Sequence, residues 1–186
     1  IPYYVGASEP LHPFFHSYKD HMFYHYSLYY YINNMATKKE WGNATWYLFH
    51  TLSFKMKDEY FDELKNEFLV ICTKICANLP CPDCSEHATA IMKNLNRDNI
   101  KTKKDLQLFF FDFHNSVNKR VKKPLFQENQ MFMYHKAITK NIVFNYINVL
   151  SKKYHNIKLL TNSFHRDMSM NDFKKWIAHN SNKFNP

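Results

Sequence analysis

Apolar side chains recur along this chain with the 3.6-residue period of a helix face, and no stretch alternates as a strand would. The first clear stripe is Trp41, Thr45, Leu48, Phe49 and Leu52. Thr37-Lys38-Lys39-Glu40 precedes it with the spacing of a capping box, in which the two side chains satisfy the first free N–H groups of a helix. Asp58 is placed to cap a second helix running to about Asn78, with Tyr60, Phe61, Leu64, Phe68 and Ile71 inward. Pro80 stops it. Cys81 takes the N-cap of a third helix, with Pro82 at the first helical position, where its missing N–H costs nothing. That helix runs to about Leu95. Thr102-Lys103-Lys104-Asp105 resembles another capping box. It opens a fourth helix carrying Leu106, Phe109, Phe110, Phe113, Val117 and Val121, which ends before Pro124. Farther on, residues 139–153 carry Ile142, Val143, Tyr146, Ile147 and Leu150. Ser169-Met170-Asn171-Asp172 opens a last helix with Phe173, Trp176 and Ile177. The pattern predicts an all-α protein. Its four-helix core spans 37–126, after an aromatic-rich N-terminal extension over 1–36 and before a C-terminal helical extension over 127–186.

Composition narrows what such a bundle does. A chain of 186 residues with 45% hydrophobic residues can bury a domain-sized core. Only two glycines occur, Gly6 and Gly42. That excludes glycine-rich phosphate loops and argues against hairpins and barrels. A nucleotide or flavin must then be held by side chains and helix ends. No apolar run approaches the ~18 residues of a membrane span. Ile1-Pro2-Tyr3-Tyr4 lacks the basic and apolar regions of a secretory signal. The net charge of +9 admits nucleic acid, acidic partners or a phosphate-bearing cofactor. A basic nucleic-acid-binding module, zinc-stabilised or not, is the alternative reading, with aromatics as stacking platforms. Most aromatics fall on predicted core faces, which speaks against it.

The cysteines carry the chemistry. All four lie within thirteen positions: Cys72, Cys76, Cys81 and Cys84. At i and i+3 on a first helical turn, Cys81 and Cys84 have Cα atoms about 5–6 Å apart, which fits a disulfide. A bridge over two residues closes almost no loop, so it adds little stability. The positive helix end there favours a thiolate, and thiol–disulfide exchange is the better reason for the pair. Cys72 and Cys76 share a face of the second helix and are expected as core thiols. Zinc modules draw ligand pairs from separate turns, which these four do not offer without breaking that helix. A thioredoxin-like reductase would need strands, and none is predicted.

Other helices contribute flat rings. Trp46 and His50 are four apart on the first helix, and His87 follows Cys84 by three. His114, Val117 and Asn118 share a face of the fourth helix, with Asn115 beside them. Rings from three helices, one of which carries the dithiol, point to a flat aromatic ligand. Lys119, Arg120, Lys122 and Lys123 then read either as a solvated helix end or as a clamp for a diphosphate.

Three blocks, in this order and spacing, resemble the Erv/ALR flavin-dependent sulfhydryl oxidases. They are Gly42-Asn43-Ala44-Thr45-Trp46-Tyr47-Leu48-Phe49-His50-Thr51, then Pro80-Cys81-Pro82-Asp83-Cys84, then His114-Asn115-Ser116-Val117-Asn118-Lys119-Arg120-Val121-Lys122-Lys123-Pro124. The likeness covers roughly residues 40–126 and is greatest to the versions encoded by large DNA viruses. It implies a four-helix bundle that binds FAD, often as a homodimer. Cys84 would face the flavin and pass electrons to it, and Cys81 would exchange with an incoming protein dithiol. Oxygen would accept the electrons and yield hydrogen peroxide. Gly42, Trp46, His50, His87, His114, Asn115, Val117 and Asn118 would line the FAD, with Lys119 and Lys123 near its phosphates and no metal involved. Substrates would be protein dithiols, among them thioredoxin-like or glutaredoxin-like carriers. The setting would be host cytoplasm or virion, with the mitochondrial intermembrane space or endoplasmic reticulum as the alternative. This chain departs from the family at Asn43, where an arginine is common, and at Phe109, where many members have tryptophan. Phe111 replaces the first cysteine of a structural disulfide, and a shuttle dithiol in a mobile tail is missing, which leaves Cys72 and Cys76 as the only candidates for a relay.

Overall fold

Thr37 starts the first helix as its sequence predicts. Its hydroxyl accepts from the Glu40 N–H at 3.2 Å, and the Glu40 carboxylate accepts from the Thr37 N–H at 2.6 Å. This computed structural model describes residues 36–152 and 160–186, with side chains over 36–152 and 164–186. The aromatic lead segment up to Met35 lies outside the described residues.

Helix α1 (Lys38–Lys55) buries Trp41, Ala44, Thr45, Leu48, Phe49 and Leu52 along one stripe. Asp58 does not cap a helix. Its carboxylate pairs with Lys103 at 3.0 Å, Asp58–Tyr60 form a short 3-10 turn, and α2 (Phe61–Ala77) begins only after it. Pro82 opens α3 (Pro82–Asn94). α4 (Lys103–Arg120) carries the second capping box, with Asp105 in the role glutamate usually fills. α5 (Phe132–Lys136), α6 (Thr139–Leu150) and α7 (Leu160–Asn180) follow. The last helix thus starts well before Ser169. Phe164 and Met168 are 63% and 51% exposed, so the large apolar residues over 164–168 form no inward stripe for periodicity to detect.

α1 packs against α4, α5 and α6, and α2 packs against α3 and α7. Phe49, Phe68, Phe110 and Phe173 are almost completely sealed, and burying each contributes roughly 2–3 kcal/mol. Tyr146 and Leu150 of α6, Phe173 of α7 and Phe184 belong to that same core. No strand forms among the described residues. An isolated antiparallel bridge joins Met56 to Phe184, and the Asn185 N–H donates to the Lys55 carbonyl at 2.7 Å. The consequence for the site is local. The first half of α1, the first turns of α3 and the last turns of α4 converge around one hollow.

Candidate active site

Cys81 and Cys84 are joined, with Cα atoms 5.2 Å apart. Pro82 sets the helical φ of the first turn, and the Ser85 N–H donates to the Cys81 carbonyl at 2.9 Å. The Cys81 side chain is committed to the bridge and does not cap the helix. The positive end of α3 is therefore aimed at the disulfide, where a thiolate would form on reduction.

A cleft of about 250 Å³ opens beside Cys84. Its apolar walls are Trp41, Trp46, Phe49, Phe113, Val117 and Leu79. Asn43, His87, His114 and Asn118 supply polar groups, and Lys38, Arg120 and Lys123 bring positive charge. Gly42 also lines it, and a Cβ built there would meet no atom within 4 Å. Of the residues singled out in the sequence, Cys84, Gly42, Trp46, His87, His114, Val117, Asn118 and Lys123 share this cleft. Cys81, His50, Asn115 and Lys119 lie off its wall.

Each of those four has a visible place. Cys81 is the half-buried partner of Cys84. Lys119 is exposed near the end of α4. The Asn115 amide donates to the Phe126 carbonyl at 3.0 Å and its oxygen accepts from the Phe126 N–H at 2.8 Å. That pair of bonds pins the segment after α4, and Phe126 stacks on His114 at 5.0 Å. His50 is completely buried behind the cleft wall, its Nε2 3.1 Å from His114 Nδ1 and its ring stacked on Tyr134 at 4.4 Å. Trp46 stacks on the other imidazole, with centroids 4.3 Å from His114 and planes 11° apart.

Both imidazoles are neutral at ordinary pH. Burial pushes His50 down to about 3, helped by His114, and pushes His114 down to about 4, helped by the Lys123 charge. His50 Nδ1 is buried with no hydrogen-bond partner. A buried lone pair costs less unpaired than a buried N–H, so the favoured tautomer has His50 donating from Nε2. That leaves the His114 proton on Nε2, free to donate elsewhere.

After α4 the chain turns sharply. Lys122 takes a left-handed φ of 55°, and the Lys123 N–H returns to the Asn118 carbonyl at 2.9 Å, which brings Lys123 onto the cleft. Sequence reasoning missed Lys38 and gave Trp41 and Phe113 to the core alone. The spacing 38, 42, 45–46, 49 marks one face of α1 and was the available signal. In the sequence Arg120 reads only as part of a basic cluster, a solvated helix end or a diphosphate clamp, yet its Nη1 donates to the Asp83 carbonyl at 3.0 Å. Cys72 and Cys76 are free thiols buried on α2, and burial raises both pKa values far above the ordinary range. Cys76 also reaches the back of the cleft.

The residues present fit a flat, phosphate-bearing cofactor. There is open space over Gly42, two indoles and two phenyl rings for a planar ring system, ring and amide donors within, and three cations.

Known proteins share this combination. The profile of the Erv1/Alr family matches residues 43–138, just over half of the chain. The protein 096R of Invertebrate iridescent virus 3, provisionally named a FAD-linked sulfhydryl oxidase, is 32% identical over 95 residues, covering 50% of this chain and 64% of its own. The FAD-linked sulfhydryl oxidase ERV1 of Oryza sativa is 30% identical over 90 residues, covering 48% and 46%. The FAD-linked sulfhydryl oxidase of an African swine fever virus isolate is 28% identical over 103 residues, covering 55% and 86%. No solved structure matches. With the disulfide, the cleft and the matched residues coinciding on α1, α3 and α4, this chain belongs to the Erv1/Alr family.

Proposed function

We propose that this protein is a FAD-dependent thiol oxidase. It makes disulfides in protein substrates by passing electrons from their dithiols through Cys81 and Cys84 to FAD, and from there to oxygen, with hydrogen peroxide as product. The observation that carries this is the placement of a helix-end disulfide in the wall of an aromatic, cation-rimmed cleft. The names of the viral and plant relatives support it.

FAD, when bound, supplies the two-electron acceptance and the reaction with oxygen. The chain's own residues do the rest. A substrate thiolate attacks Cys81, forming a mixed disulfide and expelling Cys84 as a thiolate that the end of α3 stabilises. The second substrate thiolate then attacks the substrate sulfur of that mixed disulfide and expels Cys81. The substrate leaves with a new disulfide, and the Cys81–Cys84 pair holds its two electrons beside the cleft. Trp41, Trp46, Phe49 and Phe113 exclude water there. Gly42, His87, His114, Val117 and Asn118 are the lining for the planar ring system, with Lys123 and Lys119 for the phosphates. His50 and Asn115 act one layer out, through His114 and Phe126.

Protein dithiols are the substrate class supported by a second hollow of about 650 Å³. It runs along Pro80, Pro82, Ser85 and Glu86, on both sides of Cys81 in sequence, and its opposite wall is α7 with His165, Met168 and Asp172. That space suits a polypeptide segment, such as one from a thioredoxin-like or glutaredoxin-like carrier, better than a small thiol. Self-association as a homodimer is supported by large exposed apolar side chains at Phe132, Met133, Ile138 and Phe144. The viral relatives support a virus-encoded protein, and host cytoplasm or virion is the setting proposed for it. No helix among the described residues is long and apolar enough to cross a membrane.

The visible absorbance spectrum tests the core of this reading. The purified protein should be yellow, bleach anaerobically on addition of dithiothreitol, and consume oxygen in air. A folded protein that is colourless and consumes no oxygen overturns it.

A further inference from the structure

Arg120 is the last residue of α4, and its guanidinium reaches across to α3. The acceptor of its Nη1–H is the Asp83 carbonyl, 3.0 Å away. Pro82 and Asp83 are the two residues that the disulfide encloses, so Arg120 grips the redox loop itself. The Asp83 carbonyl already belongs to the first turn of α3, and the guanidinium adds a charged donor to it. Arg120 also lines the cleft into which Cys84 faces. Its charge is felt on that side of α3, where it adds to burial in lowering the His87 pKa. No carboxylate among the described residues forms an ion pair with it. The other charged and titratable groups around the cleft are Lys38 on α1, the Cys76 thiol on α2, Asp83 and His87 on α3, and His114 and Lys123 on or after α4.

We propose that Arg120 is a positioning residue for the redox pair, which pins the Pro82–Asp83 loop to α4 and stabilises Cys84 as a thiolate once the disulfide is reduced. This rests on the thiol-oxidase reading and adds to it a determinant of the pair's driving force. On reduction two electrons enter from a dithiol, which is itself oxidised to a disulfide. The Cys81–Cys84 bond breaks, Cys81 takes one proton, and Cys84 carries the negative charge. A cation held at the Asp83 carbonyl, one residue before Cys84, favours the reduced pair and raises its reduction potential, in the same sense as the helix end. Arg120 is exposed, so the effect is moderate and salt-dependent.

The test is an equilibrium measurement on the protein as purified. Wild type, Arg120→Gln, Arg120→Lys and Lys122→Gln are poised anaerobically in glutathione buffers, and the Cys81–Cys84 pair is quantified by thiol trapping and mass spectrometry. Arg120→Gln should favour the disulfide about fivefold, a fall of about 20 mV at about 30 mV per tenfold change. Arg120→Lys should recover most of that shift, and 1 M salt should shrink it. Lys122→Gln removes the same charge two residues away, outside the cleft, and should leave the potential unchanged. A folded Arg120→Gln protein with the wild-type potential overturns the proposal. So does an equal shift in Lys122→Gln, which would make net charge the cause. The readout needs neither oxygen nor turnover, so it is independent of whether the oxidase assay succeeds.

Discussion

His50 has its ring stacked on Tyr134 and one nitrogen against His114, and at the same level Trp46 covers the His114 face. Their pKa values of about 3 and about 4 lie below the ordinary histidine value of ~6.5. Below that value the unfolded chain takes up protons that the folded chain refuses. The stabilisation is therefore complete above about pH 6.5 and is lost as pH falls toward the folded values. Between pH 7.5 and 5.0 the urea-unfolding free energy should drop by on the order of 2 kcal/mol for each of the two histidines, above the range where carboxylates titrate. His50→Gln should flatten that slope, and an unchanged slope would show that the pair does not set it. Lys122 supplies a second case. A lysine at φ 55° is strained, and Lys122→Gly should stabilise the protein by about 0.5–1 kcal/mol, read from the same urea curves. The thiols divide cleanly. Iodoacetamide on the reduced, folded protein should label Cys81 and Cys84 and spare Cys72 and Cys76, whose buried thiols stay protonated. Cys84→Ser should abolish oxygen consumption with dithiothreitol. The spacing of His114, Val117 and Asn118 already placed those three on one face of α4. Asn115 lies a further ~100° around the helix, and only the structure shows that it turns to Phe126 instead.

At the scale of elements, start signals in the sequence were accurate where a side chain and a backbone group answer each other locally. Thr37 with Glu40 and Thr102 with Asp105 are closed rings of four residues, so sequence spacing decides them. Thr102→Ala should cost about 1 kcal/mol, because the first turn of α4 loses an acceptor for an orphan N–H. Thermal unfolding would register it as a lowered midpoint, and no change would mean that Asp105 caps α4 unaided. Asp58 looked equally suited to cap α2, but its partner is Lys103, which is 45 positions away and cannot be read from local spacing. The start of α7 was illegible for a different reason. Phe164 and Met168 are exposed, so no apolar stripe is buried over 164–168, and contacts with the core begin at Met170 and Phe173.

At the scale of the molecule, the family match ends at residue 138, but the core does not. α6 covers α1, α7 covers α2, and the last residues tie back to Lys55 and Lys57. Tyr146, Leu150, Met170, Phe173 and Phe184 are therefore structural partners of the redox core, and α7 from His165 to Asp172 also builds one side of the hollow beside Cys81. The two hollows divide the disulfide's surroundings, with Cys84 in the cleft of α1 and α4 and the flanks of Cys81 facing α7. Under the proposed thiol-oxidase reading, a small thiol needs no contact with α7 to reach Cys81, whereas a polypeptide substrate lies along the hollow that α7 walls. His165 and Met168 are exposed on that wall and take no part in the disulfide or the cleft. The double substitution His165→Glu and Met168→Glu should then leave kcat/KM for dithiothreitol within about twofold. With reduced, unfolded ribonuclease as substrate, it should raise KM severalfold at nearly constant kcat, because it weakens uniform binding and leaves the chemistry intact. Equal effects on both substrates would place the damage in the disulfide or the cleft. No effect on either would remove α7 from substrate recognition and leave it a purely structural cover for α2.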